Sequence, residues 1–151
     1  MRTIVVASDA PSVCREVRSV TEGPDTVVEE VSSGPAVLAT VRDRDVDLVV
    51  VDMQMGSMGG MAVCLDLRLE ESMGVTPHVP VLMLLDRRAD VFLARRSSAE
   101  GWVVKPLDPI RIRRAVSQLL AGGNYHDDSY QPIPVLVNAR DLPDRSSAPA
   151  A

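Results

Sequence analysis

The sequence predicts an α/β fold: a doubly wound parallel sheet of five strands, in the order 2-1-3-4-5, with helices on both faces. Three observations predict it. Short apolar runs alternate with helical patterns from residue 4 to residue 121, which is the signature of repeated βαβ units. Two of those runs, Val46 to Val51 and Val81 to Leu85, are apolar almost without interruption, as strands buried on both faces must be. Glycine, proline or aspartate punctuates the junctions between elements.

In chain order, Ile4 to Ala7 is a β-branched strand followed by Asp9-Ala10-Pro11. Val13, Val17 and Val20 then recur at helical spacing. Thr26 to Val31 reads as an edge strand, because Glu29 and Glu30 stand where a central strand would be apolar. Gly34-Pro35 opens a second helix that turns Val37, Leu38 and Val41 inward. The third strand ends at Asp52 and runs through a glycine- and methionine-rich turn into a helix from about Met61 to Glu71. After the fourth strand, Ala89 to Ser98 is helical and Trp102 to Val104 is a short strand ending at Lys105-Pro106. Asp108 as N-cap and Pro109 in the first turn start the last helix, and Gly122-Gly123 stops it. Residues 1–121 are therefore expected to form the domain. Residues 122–151 are expected to be a flexible, proline-containing tail in which only Ile133 to Val137 has extended character.

Composition narrows the function. The 151 residues are 46% hydrophobic, enough for a packed core, and carry a net charge of −5, a poor start for gripping nucleic-acid phosphates. No apolar run approaches the roughly 20 residues of a membrane helix, and no signal peptide opens the chain, so a cytoplasmic location is expected. Cys14 and Cys64 fall inside helical patterns and are expected to be buried free thiols. His78 and His126, with no acid or cysteine suitably spaced, are expected to be solvated. Fifteen of the sixteen basic residues are arginine, and the single lysine is Lys105. A compact ammonium, rather than a planar guanidinium, is therefore expected to matter there.

Functional groups in open parallel sheets gather past the carboxyl ends of the strands. Asp9, Asp52 and Lys105 all stand there and converge if strand one lies between strands two and three. Two carboxylates and an ammonium suit a hard cation such as Mg²⁺ together with a phosphoryl group. An aspartate in such a pocket can also act as a nucleophile toward phosphorus.

The pieces Ile4-Val5-Val6-Ala7-Ser8-Asp9-Ala10-Pro11, Asp47-Leu48-Val49-Val50-Val51-Asp52-Met53-Gln54-Met55 with Gly60, Pro80-Val81-Leu82-Met83-Leu84, and Lys105-Pro106 occur in a specific order and spacing. In that arrangement residues 3–121 resemble the receiver domain of two-component response regulators, the CheY-like family. The resemblance implies a flavodoxin-like (βα)5 fold. It implies Asp52 as phosphoacceptor, Lys105 as the residue pairing with the phosphoryl group, and Asp9, Asp52 and the backbone carbonyl of Gln54 as Mg²⁺ ligands. It also places Trp102 where the family has its switch aromatic.

Three departures qualify these expectations. Ser8 replaces the first of two adjacent acids, so weaker Mg²⁺ binding is expected. Leu85 replaces the Thr or Ser whose hydroxyl follows the phosphoryl oxygen. Gly56 replaces the usual proline after the phosphoacceptor, which makes that turn more mobile. The reading is a stand-alone, atypical receiver acting through protein–protein contacts, with weak or absent dependence on phosphorylation. A conventional phospho-receiver served by a histidine kinase is the alternative, and a ligand-binding receiver is a lesser one. An aspartate-nucleophile phosphohydrolase would need an acid where Gln54 stands, so no enzymatic role is expected beyond self-phosphorylation or dephosphorylation at Asp52. Residues 85–115 hold eight basic against four acidic residues. That half points to the helix 4–strand 5–helix 5 face for partners, possible homodimerisation included. No helix-turn-helix pattern follows the last helix, so direct DNA binding is not expected.

Overall fold

The computed structural model describes residues 1–129. Its elements are β1 (Arg2–Ala7), α1 (Pro11–Thr21), β2 (Thr26–Val31), α2 (Gly34–Asp43), β3 (Leu48–Asp52), α3 (Gly60–Ser72), β4 (Val81–Leu85), α4 (Val91–Arg96), β5 (Gly101–Val104), α5 (Pro109–Leu120) and β6 (Tyr125–His126). The strands form one parallel sheet in the order β2-β1-β3-β4-β5-β6. The alternation read from the sequence thus folds as the doubly wound sheet expected of it, with one strand more.

Alternation along each strand divides the core in two. Val5, Ala7, Val49, Val51, Met83, Leu85, Trp102 and Val104 pack with residues of α2, α3 and α4 on one face. Ile4, Val6, Leu48, Val50, Leu82, Leu84 and Val103 pack with α1 and α5 on the other. The central strands β3 and β4 are buried along their whole length, and apart from the terminal Asp52 they are apolar throughout. Cys14 and Cys64 are buried free thiols within these two layers, and burial pushes Cys64 up to about 11.

Several elements differ from the sequence reading. The region expected as one helix from Ala89 to Ser98 is a 3-10 turn (Arg88–Asp90) followed by the six-residue α4. Ser97 Oγ bonds back to the Ala94 carbonyl and Ser98 has a left-handed backbone (φ 63°), so the helix stops there. Packed structure also continues past Gly122, where the domain was expected to end. Tyr125 and His126 pair with Gly101 and Trp102. Periodicity could not reveal a two-residue strand held chiefly by polar contacts. Residues 130–151, including Ile133 to Val137, lie outside the described residues.

The histidines are also less free than expected. His78 is exposed but lies 2.9 Å from Glu71 and 3.1 Å from Glu100. Folding, not sequence spacing, brings those acids to it. His126 is exposed at its rim, yet its ring stacks on Trp102.

Candidate functional site

The carboxyl ends of β1, β3, β4 and β5 meet at one rim of the sheet. Asp52 closes β3 and is only 3% exposed. By strand alternation it shares the face of Leu48 and Val50, and it would be an uncompensated buried charge without close donors. It has them. Lys105 Nζ donates to Asp52 Oδ1 and Oδ2 at 3.0 and 2.9 Å. Ser8 Oγ donates to Oδ2 at 2.9 Å, and the Gln54 amide reaches Oδ1 at 3.4 Å.

Lys105 is carried in by the β4–β5 ladder, which its own N–H extends by bonding to the Leu85 carbonyl at 2.8 Å. The peptide bond to Pro106 is cis. The ammonium has a further partner: it donates to Asp86 Oδ1 at 2.9 Å. Burial alone would lower the lysine's pKa, but the bonds to Asp86 and Asp52 outweigh it and hold Lys105 above its ordinary value.

Asp9 stands beside Ser8 and points across to the β3–α3 turn, where its Oδ2 accepts the Gly56 N–H at 2.8 Å. It does not cap α1; Ser8 Oγ accepts the Ala10 N–H instead. The usual proline at 56 could not donate to Asp9, so the departure at 56 and the position of Asp9 are linked. Gly60, eight residues past Asp52, permits the close return of the chain. A Cβ there would lie 2.8 Å from the Asp52 carbonyl oxygen. An open cleft of about 420 Å³ adjoins the rim on the β2 side, lined in part by Ser8, Asp9 and Glu30.

Leu85 is fully buried and belongs to the apolar layer with Trp102 and Val104, on the face opposite Asp52. Trp102 is 2% exposed. His126 stacks on its ring (centroids 4.2 Å apart, planes 6° apart), and the Arg95 guanidinium lies 5.5 Å from its centroid. Met53 is buried, and Met55, Met58 and Met61 pack against the same apolar layer. They serve as packing.

The structure thus places Asp52, Lys105 and Ser8 in direct contact and Asp9 beside them through Gly56. Leu85 and Trp102 lie beneath the rim in the core. The residue that sequence reasoning missed is Asp86. An acid directly after a parallel strand carries the same positional signal as Asp9 and Asp52.

A family model described as the response regulator receiver domain matches residues 4–117. The chain belongs to that family. Among its relatives, an uncharacterized response regulatory protein of Mycobacterium tuberculosis is 35% identical over 97 residues, covering 64% of this chain and 70% of the relative. The nitrate/nitrite response regulator NarL of Escherichia coli is 27% identical over 133 residues, covering 87% of this chain and 60% of NarL. The DNA-binding response regulator MtrA of Mycolicibacterium smegmatis is 34% identical, over 70% of this chain but 45% of MtrA. In structure the receiver resembles the chemotaxis response regulator CheY4 of Vibrio cholerae, with a TM-score of 0.68 at 22% identity over 79% of this chain and 98% of CheY4. It likewise resembles the receiver domain of a Syntrophus aciditrophicus histidine kinase, with a TM-score of 0.71 at 21% identity over 91% of this chain and all of that one. Receivers of this family are signalling domains that work with histidine kinases in two-component systems. No helix among the described residues is long and apolar enough to cross a membrane.

Proposed function

We propose that this receiver is an atypical, protein-contact module of two-component signalling, in which phosphorylation of Asp52 contributes weakly or not at all. The observation that carries the reading is Lys105 held between two carboxylates, 2.9 Å from Asp52 Oδ2 and 2.9 Å from Asp86 Oδ1. A phosphoryl group on Asp52 would have to draw the ammonium from Asp86 and would meet that carboxylate's negative charge. Leu85 offers it no hydrogen bond. A group that makes no state-dependent contact there shifts no equilibrium through that contact.

Asp9, Asp52 and the backbone carbonyl of Gln54 would hold Mg²⁺. Their all-oxygen donor set fits a hard cation, although Ser8 leaves one negative charge fewer and Asp9 is engaged by Gly56. Bound there, the ion would supply Lewis-acid neutralisation of phosphoryl oxygens. Partner contacts are proposed on α4 and α5, whose outer surfaces present Phe92 under the Arg96 guanidinium and the exposed Ile110. With β6 along β5, a dimer on this face would use the helices.

The intact Asp52–Lys105 pair favours a second reading, a conventional phospho-receiver. There an Asp52 carboxylate oxygen would attack phosphorus while the bond from phosphorus to the donor's leaving group breaks, and Lys105 would follow the new oxygens. Intact mass after incubation with acetyl phosphate and Mg²⁺ separates the two. The proposal expects a minor phosphorylated fraction. Near-stoichiometric addition, lost in Asp52→Asn, supports the second reading.

A further inference from the structure

The segment after α5 is fastened to the domain at three points. Tyr125 and His126 pair along the outer edge of β5, where Gly101 gives them room: a Cβ at 101 would lie 2.8 Å from the Tyr125 carbonyl oxygen. The His126 ring stacks on Trp102. Asp127 is 3% exposed, and its Oδ2 accepts the Val104 N–H and an Arg111 guanidinium N–H, each at 2.9 Å. Its Oδ1 accepts the Ser129 N–H at 3.0 Å. One carboxylate therefore joins the last amide of β5 to the first turn of α5.

Without this segment β5 would be a bare edge, a row of unpaired N–H and C=O groups open to a strand from another chain. Two residues of strand bury little, with Tyr125 half-buried and His126 exposed. Attachment rests on two backbone bonds (Tyr125 N–H to the Glu100 carbonyl, Asp127 N–H to the Trp102 carbonyl), the Asp127 carboxylate and the ring stack. The approach runs through Gly122, whose φ of +85° needs glycine, and Gly123. Such a polar, local attachment opens more readily than the core it covers.

We infer that residues 125–129 are a self-docked strap, latched by Asp127, that shuts Trp102 in and bars a second copy of this chain from pairing along β5. This does not depend on whether Asp52 is phosphorylated. Undocking would expose the indole and the β5 edge together, a conformational change with no phosphoryl group in it.

The test uses the 151-residue chain and its single tryptophan, comparing wild type with Asp127→Ala and His126→Ala. In D127A, amide exchange at Val104 is expected to rise about ten- to a hundredfold, the change that loss of one charge-assisted hydrogen bond produces. Acrylamide quenching of Trp102 is expected to rise about twofold or more in both variants, and D127A is expected to self-associate more strongly by sedimentation. Trp102 quenched as in wild type in both variants overturns the strap. So does a D127A chain whose Trp102 opens while its association stays unchanged. If D127A does not fold, H126A, which removes the stacked ring and leaves the Asp127 bonds, decides: unchanged Trp102 quenching or unchanged self-association overturns the strap.

Discussion

Asp9 reaches from the end of β1 to the β3–α3 turn and accepts the Gly56 N–H at 2.8 Å. That bond exists because residue 56 is not proline, and it takes up one oxygen of the more exposed of the two aspartates proposed to hold Mg²⁺. Gly56→Pro is therefore expected to release Asp9 and tighten Mg²⁺ binding about tenfold, the worth of one charge-assisted hydrogen bond. Gly56→Ala keeps the N–H, and its Cβ would meet Asp9 at an ordinary 3.7 Å, so it is the control. Calorimetric titration with MgCl₂ reads both. Equal affinities in the two variants would show that the bond does not hold Asp9 back.

Asp86 is 40% exposed as a side chain and Lys105 21%, so their pair contributes little to stability, about 1 kcal/mol or less. Asp86→Ala should leave the urea midpoint nearly unchanged. Beryllofluoride affinity at Asp52 should nonetheless rise about two- to fivefold, since Lys105 no longer has to leave a second carboxylate. An unchanged affinity would mean that Asp86 does not compete for the ammonium.

Leu85 is sealed in the core beside Trp102, so a hydroxyl there is costly in the resting state. Leu85→Thr is expected to lose about 2–4 kcal/mol from lost packing and an added buried polar group. Combined with Asp86→Ala, it should give the receiver a Mg²⁺-dependent fluorescence response to beryllofluoride that neither single variant shows to the same extent. A silent double variant would count against the missing hydroxyl as the reason for a weak response.

Burial pushes the Asp127 carboxyl up, but the bonds from Ser129 and Val104 and the Arg111 charge outweigh it and leave it below its ordinary value. A carboxyl depressed in the folded state stabilises above the unfolded value of about 3.9 and loses that contribution as pH falls through the folded value. Asp127→Asn should therefore weaken the chain near neutrality and flatten its stability curve below about pH 4. Thermal melts across pH 2–7 check this. Parallel curves for variant and wild type would remove Asp127 from the acid limb.

How much was legible in the sequence follows from what each feature depends on. β3 and β4 announce themselves because a strand buried on both faces can carry no polar residue, and Asp52 stands out by ending such a run. Lys105 is conspicuous as the lone lysine among arginines. β6 was hidden because its attachment depends on Asp127 meeting Val104 and Arg111, groups brought together only by folding. Asp86 was visible by position but not by role. Nothing in a linear reading shows that Lys105, 19 residues from Asp86 and 53 from Asp52, already spans both acids.

In the proposed reading, the Lys105–Asp52–Asp86 arrangement leaves a phosphoryl group little to change. Titration of wild type with beryllofluoride and Mg²⁺, followed by Trp102 emission, is the decisive check. Emission that stays within a few per cent of its starting value, and matches the Asp52→Asn titration, is the expected result. A large Mg²⁺-dependent change in wild type, abolished by Asp52→Asn, would contradict it.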